Sequence, residues 1–444
     1  MDFRLSKEQS MLRQLFRDFA QNEVKPLAAE IDEEERFPWE TVRKMAGLGL
    51  LGVYFPREYG GAGADVLSYA MWVEELGKVC GSTAIIVSTH TSLCTAPIFE
   101  FGNEEQKRKY LPQLLSGQKI GAFGLTEPSA GTDASGTQTT AVREGDHYIL
   151  NGSKIFITNG GAAGIYIIFA MTDKSKGHRG ISAFIVERDF PGFSTGREEK
   201  KMGIRGSSTT ELVMEDCIVP AENLLGREGQ GFKIALHTLD GGRIGVASQA
   251  LGLGEGAIDE AIAYTKERVQ FGKRISQFQW TQFQLADMAT KMQAAQYLVY
   301  DAACAKQNGE EYGTKAAMAK LFASEAASDV TRRCVQLFGG YGYTRDYPIE
   351  RMMPRRDSIL PEIWSMMIVY LESLRFRKRT AARTILSKGI TDETERTPRA
   401  KRFVGVKPSF TVIKLEDRWF SFIDNWARTD SRSLSMSERF LMLL

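Results

Sequence analysis

Five stretches of this 444-residue chain bring together residue types that could hold or transform a ligand. Phe123-Gly-Leu-Thr-Glu-Pro-Ser-Ala-Gly-Thr-Asp133 runs from a strand-like entry into small and hydroxylated residues. Such a loop exposes backbone N–H groups beside the Leu125–Thr126 and Gly131–Thr132 pairs, a cradle for a phosphate or a polar ring, or simply a turn. Phe156-Ile-Thr-Asn-Gly-Gly161 sets an aromatic ring, the Thr158 hydroxyl and an amide beside Ile157, at what reads as the close of a hairpin, and would suit a flat aromatic ligand. Arg268, at a helix end just before Phe271-Gly272, is either a solvated helix-end cation or a fork for phosphate. Gln336-Leu337-Phe338-Gly339-Gly340-Tyr-Gly342 carries three glycines after a helix, more than a C-cap needs, and so permits close approach by a ligand or partner chain. Asp240-Gly241-Gly242-Arg243 interrupts a helical run at a cost of about 1 kcal/mol per glycine, as expected where something flat or long lies against the helix.

Other signals exclude function classes. Gly47-Leu-Gly-Leu-Leu-Gly52 matches G-x-G-x-x-G, but a helical stretch rather than a strand precedes it, so a helix end and turn is expected instead of a nicotinamide site. The five cysteines (Cys80, Cys94, Cys217, Cys304, Cys334) are scattered with no C-x-x-C, which argues against a zinc knuckle and for a reducing compartment. The four histidines share no helical face at close spacing, so no metal is expected. A net charge of +2 gives no field for nucleic acid or an anionic membrane. The longest apolar run, Ala163 to Met171, has nine residues against the 18 or so of a membrane span. No signal peptide is evident in MDFRLSKEQS. The expectation is a soluble cytoplasmic protein with no nucleic-acid or membrane partner.

The elements that must position these residues change along the chain. Leu12, Leu15, Phe16 and Phe19 recur at helical spacing, and Asn103 followed by Glu104, Glu105 and Gln106 marks a helix start. Between about 120 and 228 the runs YIL (148–150), GIYIIFA (164–170) and ISAFIVE (181–187) read as strands, with Asn151-Gly152 as a hairpin turn. From Gly231 to about Phe338 alanine-rich helices return, with breaks near Gly272 and Gly309. This gives a multidomain α and β chain: a helical domain over 1–118, a β-domain over 119–230, a helical domain over 231–353, and a tail over 354–444. The tail holds 18 basic and 11 acidic residues, two of the 42 glycines, and three of the six tryptophans (Trp364, Trp419, Trp426), so composition breaks near residue 354.

In their order, the motifs YGG-AG-D (59–65), GLTEPSAGTD (124–133), NGSKIFITNG (151–160), GIRGSSTTELVMEDCIVP (203–220), LDGGRIGVASQALG (239–252), ERVQFGK (267–273) and QLFGGYGYTRDYPIERMM (336–353) resemble the acyl-CoA dehydrogenase family, in its short-chain (butyryl-CoA) type. The resemblance implies an N-terminal all-α domain, a central β-barrel and a C-terminal four-helix domain, with non-covalent FAD and a homotetramer. By it, Phe123, Leu125, Thr126, Gly131 and Thr132 contact flavin, Thr132 also substrate, and Phe156, Ile157 and Thr158 flank the ring system. Arg268, Phe271, Gln279 and residues Gln336 to Gly340 would hold the rest of FAD, partly across a subunit interface. Asp240, Gly241, Gly242 and Arg243 would line the acyl-CoA pocket. The implied reaction is α,β-dehydrogenation of a short-chain acyl-CoA to the trans-2-enoyl-CoA, with electrons passed to an electron-transfer flavoprotein.

The pattern breaks after Met353. The family continues Arg-Asp-Ala and then Ile-Tyr-Glu-Gly-Thr, whose Glu is the catalytic base. Here the chain reads PRRDSILPEIWSMM, which places Ile363 at that position without gaps, or Ser365 if Arg356-Asp357 and Ile363 are aligned. Neither removes a proton from carbon, and Glu362 is the nearest carboxylate. Relatives that carry the Glu on the substrate helix would place it at Gly242. A reading-frame shift, divergence and an added partner-binding tail are the alternatives for 354–444. Impaired chemistry is the expectation, and a non-catalytic flavin or acyl-CoA binding protein or an acyl-CoA oxidase are the competing functions.

Overall fold

The structure, a computed structural model, describes residues 4–353. The tail, with Glu362, Ile363 and Ser365, lies outside the described residues.

Seven helices come first: α1 (Lys7–Phe19), α2 (Ala28–Glu34), α3 (Trp39–Gly47), α4 (Val66–Gly77), α5 (Gly81–Ser88), α6 (Ala96–Phe101) and α7 (Glu104–Leu115). Their starts follow from side-chain caps. Ser6 and Gln9 form a reciprocal capping box at α1, Asn103 and Gln106 do the same at α7, and Asp65 accepts from Ser68 N at 2.7 Å ahead of α4. The Gly47–Gly52 motif is, as expected, the end of α3 and the turn after it.

Eight strands follow: β1 (Gly121–Gly124), β2 (Thr140–Glu144), β3 (His147–Thr158), β4 (Ile165–Met171), β5 (Ile181–Glu187), β6 (Phe193–Glu198), β7 (Thr209–Pro220) and β8 (Leu224–Leu225). They form one sheet in the order β6-β7-β3-β2-β4-β5-β8, with β1 parallel to β4. Tyr166, Ile168 and Ala170 of β4 face a cluster shared with β1, β2, β3, β5 and β7, which the sheet wraps as a barrel wraps its interior. Ile165, Ile167 and Phe169 face the opposite way, against α6, α7 and the start of the next helix. Both faces are covered, which is why β4 reads as a continuous apolar run rather than an alternation.

The chain then returns to helix: α8 (Gly231–Glu267), the two-residue strands β9 (Val269–Gln270) and β10 (Lys273–Arg274), α9 (Gln279–Gln307), α10 (Gly313–Phe338) and the short α11 (Ile349–Met352). The two helical regions share one core, from Phe16, Trp72 and Val87 to Ile244, Met292 and Met352.

Three local expectations need correcting. Asn151-Gly152 is not a turn: β3 runs through it, with a register shift against β7 and Gly152 at φ 144°, and the β2–β3 turn is Gly145-Asp146. Residues 156–161 close no hairpin, because β3 pairs with β2 and β7 and not with β4. Asp240-Gly-Gly-Arg243 does not interrupt α8, since packing of the surrounding turns outweighs the glycine cost. The Gly272 break is the turn of the β9–β10 hairpin.

Helices α4 and α8 approach until backbones touch. A Cβ built on Gly252 would lie 2.1 Å from the Glu74 carbonyl oxygen, and one on Gly256 2.2 Å from that of Lys78. Gly252→Ala therefore gains about 1 kcal/mol of helix propensity but forces the pair apart, and the overpacking dominates. A net loss of roughly 1–2 kcal/mol is expected in urea unfolding; a stabilised variant would refute the close approach.

Candidate functional site

A cavity of about 600 Å³ opens where β1, β3, α5 and α8 converge. Its wall contains Phe123, Leu125, Thr126, Gly131, Thr132, Phe156, Ile157 and Thr158, so the structure brings together the first eight residues singled out from sequence. Gly242 joins them from α8, between Leu239 and Val246. A Cβ at Gly242 would meet Leu93 Cδ2 at 2.6 Å, so the helix and the opposite wall nearly touch there.

The end of β3 presents its residues through a break in regular pairing. Between Lys154 and Ile157 the register against β7 shifts, and Phe156 adopts φ 59° and stays 59% exposed at the cavity. Left-handed backbone at a bulky residue is strained and persists only where its surroundings over-determine it. Ile155 N–H donates to Thr126 O at 2.9 Å on one side, and Asn159 N–H to Ser208 O at 2.7 Å on the other. The buried Asn159 amide also donates to Ile86 O and Gly121 O, at 3.0 and 3.2 Å. Beneath the wall, Lys154 Nζ lies 2.6 Å from Glu127 Oε1, both side chains buried. Burial pulls the Lys154 ammonium down to about 8 against the pull of Glu127. Burial would raise the Glu127 carboxyl, but Lys154 and the donors at Thr139 and Gln138 hold it below the usual range.

Much of the wall had no motif. Ile85, Ser88, Thr89 and Leu93 come from α5 and the π-helical segment Thr89–Thr95, a backbone irregularity frequent at functional sites. Ala134, the 199–204 segment and Thr209 complete it; the GIRGSS run carried a signal there without an assigned role. Glu199 is the single carboxylate among the described lining residues, and it is solvent-exposed beside Lys200 and Lys201.

The remaining residues lie elsewhere. Arg268, Phe271, Gln279, Gln336, Gly339 and Gly340 are exposed at the far end of α8, the β9–β10 hairpin and the starts or ends of α9 and α10. Arg268 lies over the Tyr341 ring at 5.9 Å, which ties the two motifs together. Leu337 and Phe338 are buried, Phe338 stacked on Tyr264 at 4.2 Å, so their side chains serve the core. Asp240, Gly241 and Arg243 are not in the cavity wall: Asp240 pairs with Arg243, and a Cβ on Gly241 would meet Lys306 Nζ at 2.8 Å. Among the described residues no group of three His, Cys, Asp or Glu is placed to hold a metal, and no helix is long and apolar enough to cross a membrane.

A helical domain, a wrapped β-domain and a second helical region around a cavity of this lining are the layout of an acyl-CoA dehydrogenase. The chain belongs to that family: models of its N-terminal, middle and C-terminal domains match residues 6–118, 122–217 and 229–364. The short-chain-specific acyl-CoA dehydrogenase of Clostridium acetobutylicum is 62% identical over 364 residues, 82% of this chain and 96% of that one. The solved butyryl-CoA dehydrogenase from Megasphaera elsdenii superposes with a TM-score of 0.81 at 52% identity, over 84% of this chain and all of that one. A glutaryl-CoA dehydrogenase from Mycobacterium smegmatis in complex with FADH2 gives 0.76 at 32% identity, over 82% and 94%. The C-terminal match runs to residue 364, so it includes Glu362 and Ile363 and stops before Ser365.

His90, at the back of the π-helical segment, is fully buried and accepts from Gly121 N–H through Nδ1 at 3.0 Å. Burial lowers its pKa from 6.5 to about 4. The unfolded chain takes up this proton as pH falls through 6.5 while the folded chain resists until about 4, so stability is lost across that window. The loss attributable to His90 is on the order of 3 kcal/mol. His90→Asn keeps an acceptor without the titration, so its unfolding free energy should fall less steeply between these pH values; identical slopes would contradict the burial.

Proposed function

We propose that this chain binds FAD in the cavity and takes a short-chain acyl-CoA through α,β-dehydrogenation, with proton removal impaired. Family membership supports the cofactor and reaction class. The observation that carries the site is the wall itself: Phe156, Ile157 and Thr158 beside Leu125, Thr126 and Thr132. The lining is largely apolar, with hydroxyls at Ser88, Thr89, Thr126, Thr132, Thr158 and Thr209. That donor set fits a flat ring system with a polar edge.

FAD bound there would supply the two-electron acceptor for the hydride from the acyl β-carbon. The protein's share is to press the acyl chain between α8 and the β3 wall, exclude water, and hold donors to the thioester carbonyl so that the α C–H becomes acidic. Among the described lining residues none is suited to act as the base. Gly242 offers no carboxylate, and Glu199 is solvent-exposed beside two lysines, at odds with the dry position proton removal needs. Glu362, Ile363 and Ser365 lie outside the described residues.

The remaining FAD contacts fall to Arg268, Phe271, Gln279, Gln336, Gly339 and Gly340, which sit on a surface with exposed aromatics. Phe271 is 94% exposed, Phe283 68% and Trp280 59%, an apolar patch of the kind covered in oligomers. A homotetramer, with an electron-transfer flavoprotein as acceptor, follows from this reading.

The purified protein should be yellow, elute as a tetramer, bind butyryl-CoA, and bleach slowly or not at all under anaerobic conditions. Rapid bleaching would show that a base is present, and peroxide formation in air would favour an oxidase. Gly242→Glu combined with Leu93→Ala, which clears the 2.6 Å contact, should raise the bleaching rate by about 10²-fold or more, the usual worth of a positioned base.

A further inference from the structure

Neither Glu127 nor Lys154 reaches the cavity, yet both are nearly inaccessible, at 4% and 0% exposed. A buried ion pair is a poor way to hold a β-domain together, since a well-packed apolar pair does so as well or better. What the pair supplies is direction. Glu127 Oε2 accepts from Gln138 N–H at 2.6 Å, while Oε1 accepts from Thr139 N–H at 3.1 Å and from Lys154 Nζ at 2.6 Å. One carboxylate thus closes the neck of a loop between residues 127 and 138–139. Lys154 Nζ also donates to Leu125 O at 3.3 Å, and the next residue, Ile155, donates its N–H to Thr126 O at 2.9 Å. The ammonium therefore ties both the loop's entry and its neck to β3. Gly124 leaves room for the lysine stem: a Cβ there would meet Ile168 Cδ1 at 2.6 Å and Lys154 Cγ at 3.4 Å.

Every cavity residue of this region hangs from that joint. Leu125 and Thr126 precede it, Gly131, Thr132 and Ala134 lie within the closed loop, and Phe156, Ile157 and Thr158 follow Lys154 on the strand. We propose that the Glu127–Lys154 pair is a positioning device for the cofactor, fixing the 125–134 loop against residues 156–158 so that the two halves of the wall keep one spacing. This rests on the assignment of FAD to the cavity. Neither residue is catalytic: each acts through the backbone it holds.

The test uses the full-length flavin-loaded protein, with Glu127→Gln, Lys154→Met and the double variant beside the unaltered chain. Three quantities are read: FAD dissociation by flavin fluorescence, the shape of the bound flavin's visible absorption band, and the urea midpoint. Each single variant leaves a buried partner unsatisfied, so both stability and FAD affinity should fall. The double variant removes the charge pair together, so its urea midpoint should return toward that of the unaltered chain. Its FAD dissociation constant should nevertheless stay raised by about tenfold or more, with an altered band, because the loop neck is no longer pinned. Unaltered affinity and spectrum in the double variant would overturn the proposal. So would a double variant whose FAD affinity recovers in step with its stability, since that is what a merely structural pair predicts. Should the singles fail to fold, the double variant decides alone. An unaltered chain that holds no FAD would overturn the flavin assignment, and this one with it.

Discussion

The last turn of β3 serves two structures at once, and the site exists because both demands are met there. Up to Lys154 the strand is a stave of the β-domain, paired with β7; by Ile157 the register has slipped and Phe156 stands in left-handed backbone. For a bulky L-residue that conformation costs about 1–2 kcal/mol. The slip breaks the strict alternation that would otherwise assign each side chain to one face or the other. It leaves Ile157 in the interior cluster while Phe156 remains exposed at the cavity and Thr158 half-buried beside it. Bonds from Ile155 and Asn159 on either side hold the strained residue in place. Without the slip, β3 would be a longer regular strand and the cavity would lose one wall.

The elements were legible because their burial is simple. β4 and β5 are buried along nearly their whole length and read as runs rich in β-branched and aromatic residues; α1 and α7 announce themselves by capping residues. At Asn151-Gly152 the glycine makes room for a neighbouring segment instead of marking a turn. Gly152 sits at a bulge where its Cβ would meet Thr139 Oγ1 at 2.6 Å, and Asn151 spends its side chain on Asp216 rather than on a turn. Gly241 and Gly242 lie within continuous helix, where a Cβ would meet Lys306 Nζ at 2.8 Å and Leu93 Cδ2 at 2.6 Å. Sequence shows that a glycine is present, but only the fold shows what it faces.

The same limit applies to charge. Nothing in the run VEELGKVC marks Glu74 and Glu75 as interior, yet both are buried, at 0 and 1% exposed. Arg13 and Lys78 neutralise them, and Tyr300 donates to Glu74 at 2.7 Å. Burial, with Glu255 nearby, still pushes Glu74 up to about 8 against the pull of Lys78 and Arg13. Lys154 was invisible for the same reason: a lone lysine in NGSKIFITNG carries no sign that its partner lies 27 positions upstream. The cavity residues from α5 and the π-helical segment had no residue signature at all, because a π-turn is a property of the backbone.

These features separate binding from chemistry in this chain. The walls are set by β3, by the loop pinned at Glu127, and by the contact of α8 with the Thr89–Thr95 segment, all within residues 4–353. Each is fixed by packing or buried hydrogen bonds, and none depends on which group removes a proton. A carboxylate at 242 would have to displace Leu93, whose Cδ2 stands 2.6 Å from where its Cβ would be. The helix thus forms the narrow wall, and position 242 itself carries no carboxylate. The shape of the site is therefore carried by packing and hydrogen bonds within residues 4–353, whatever group accepts the proton.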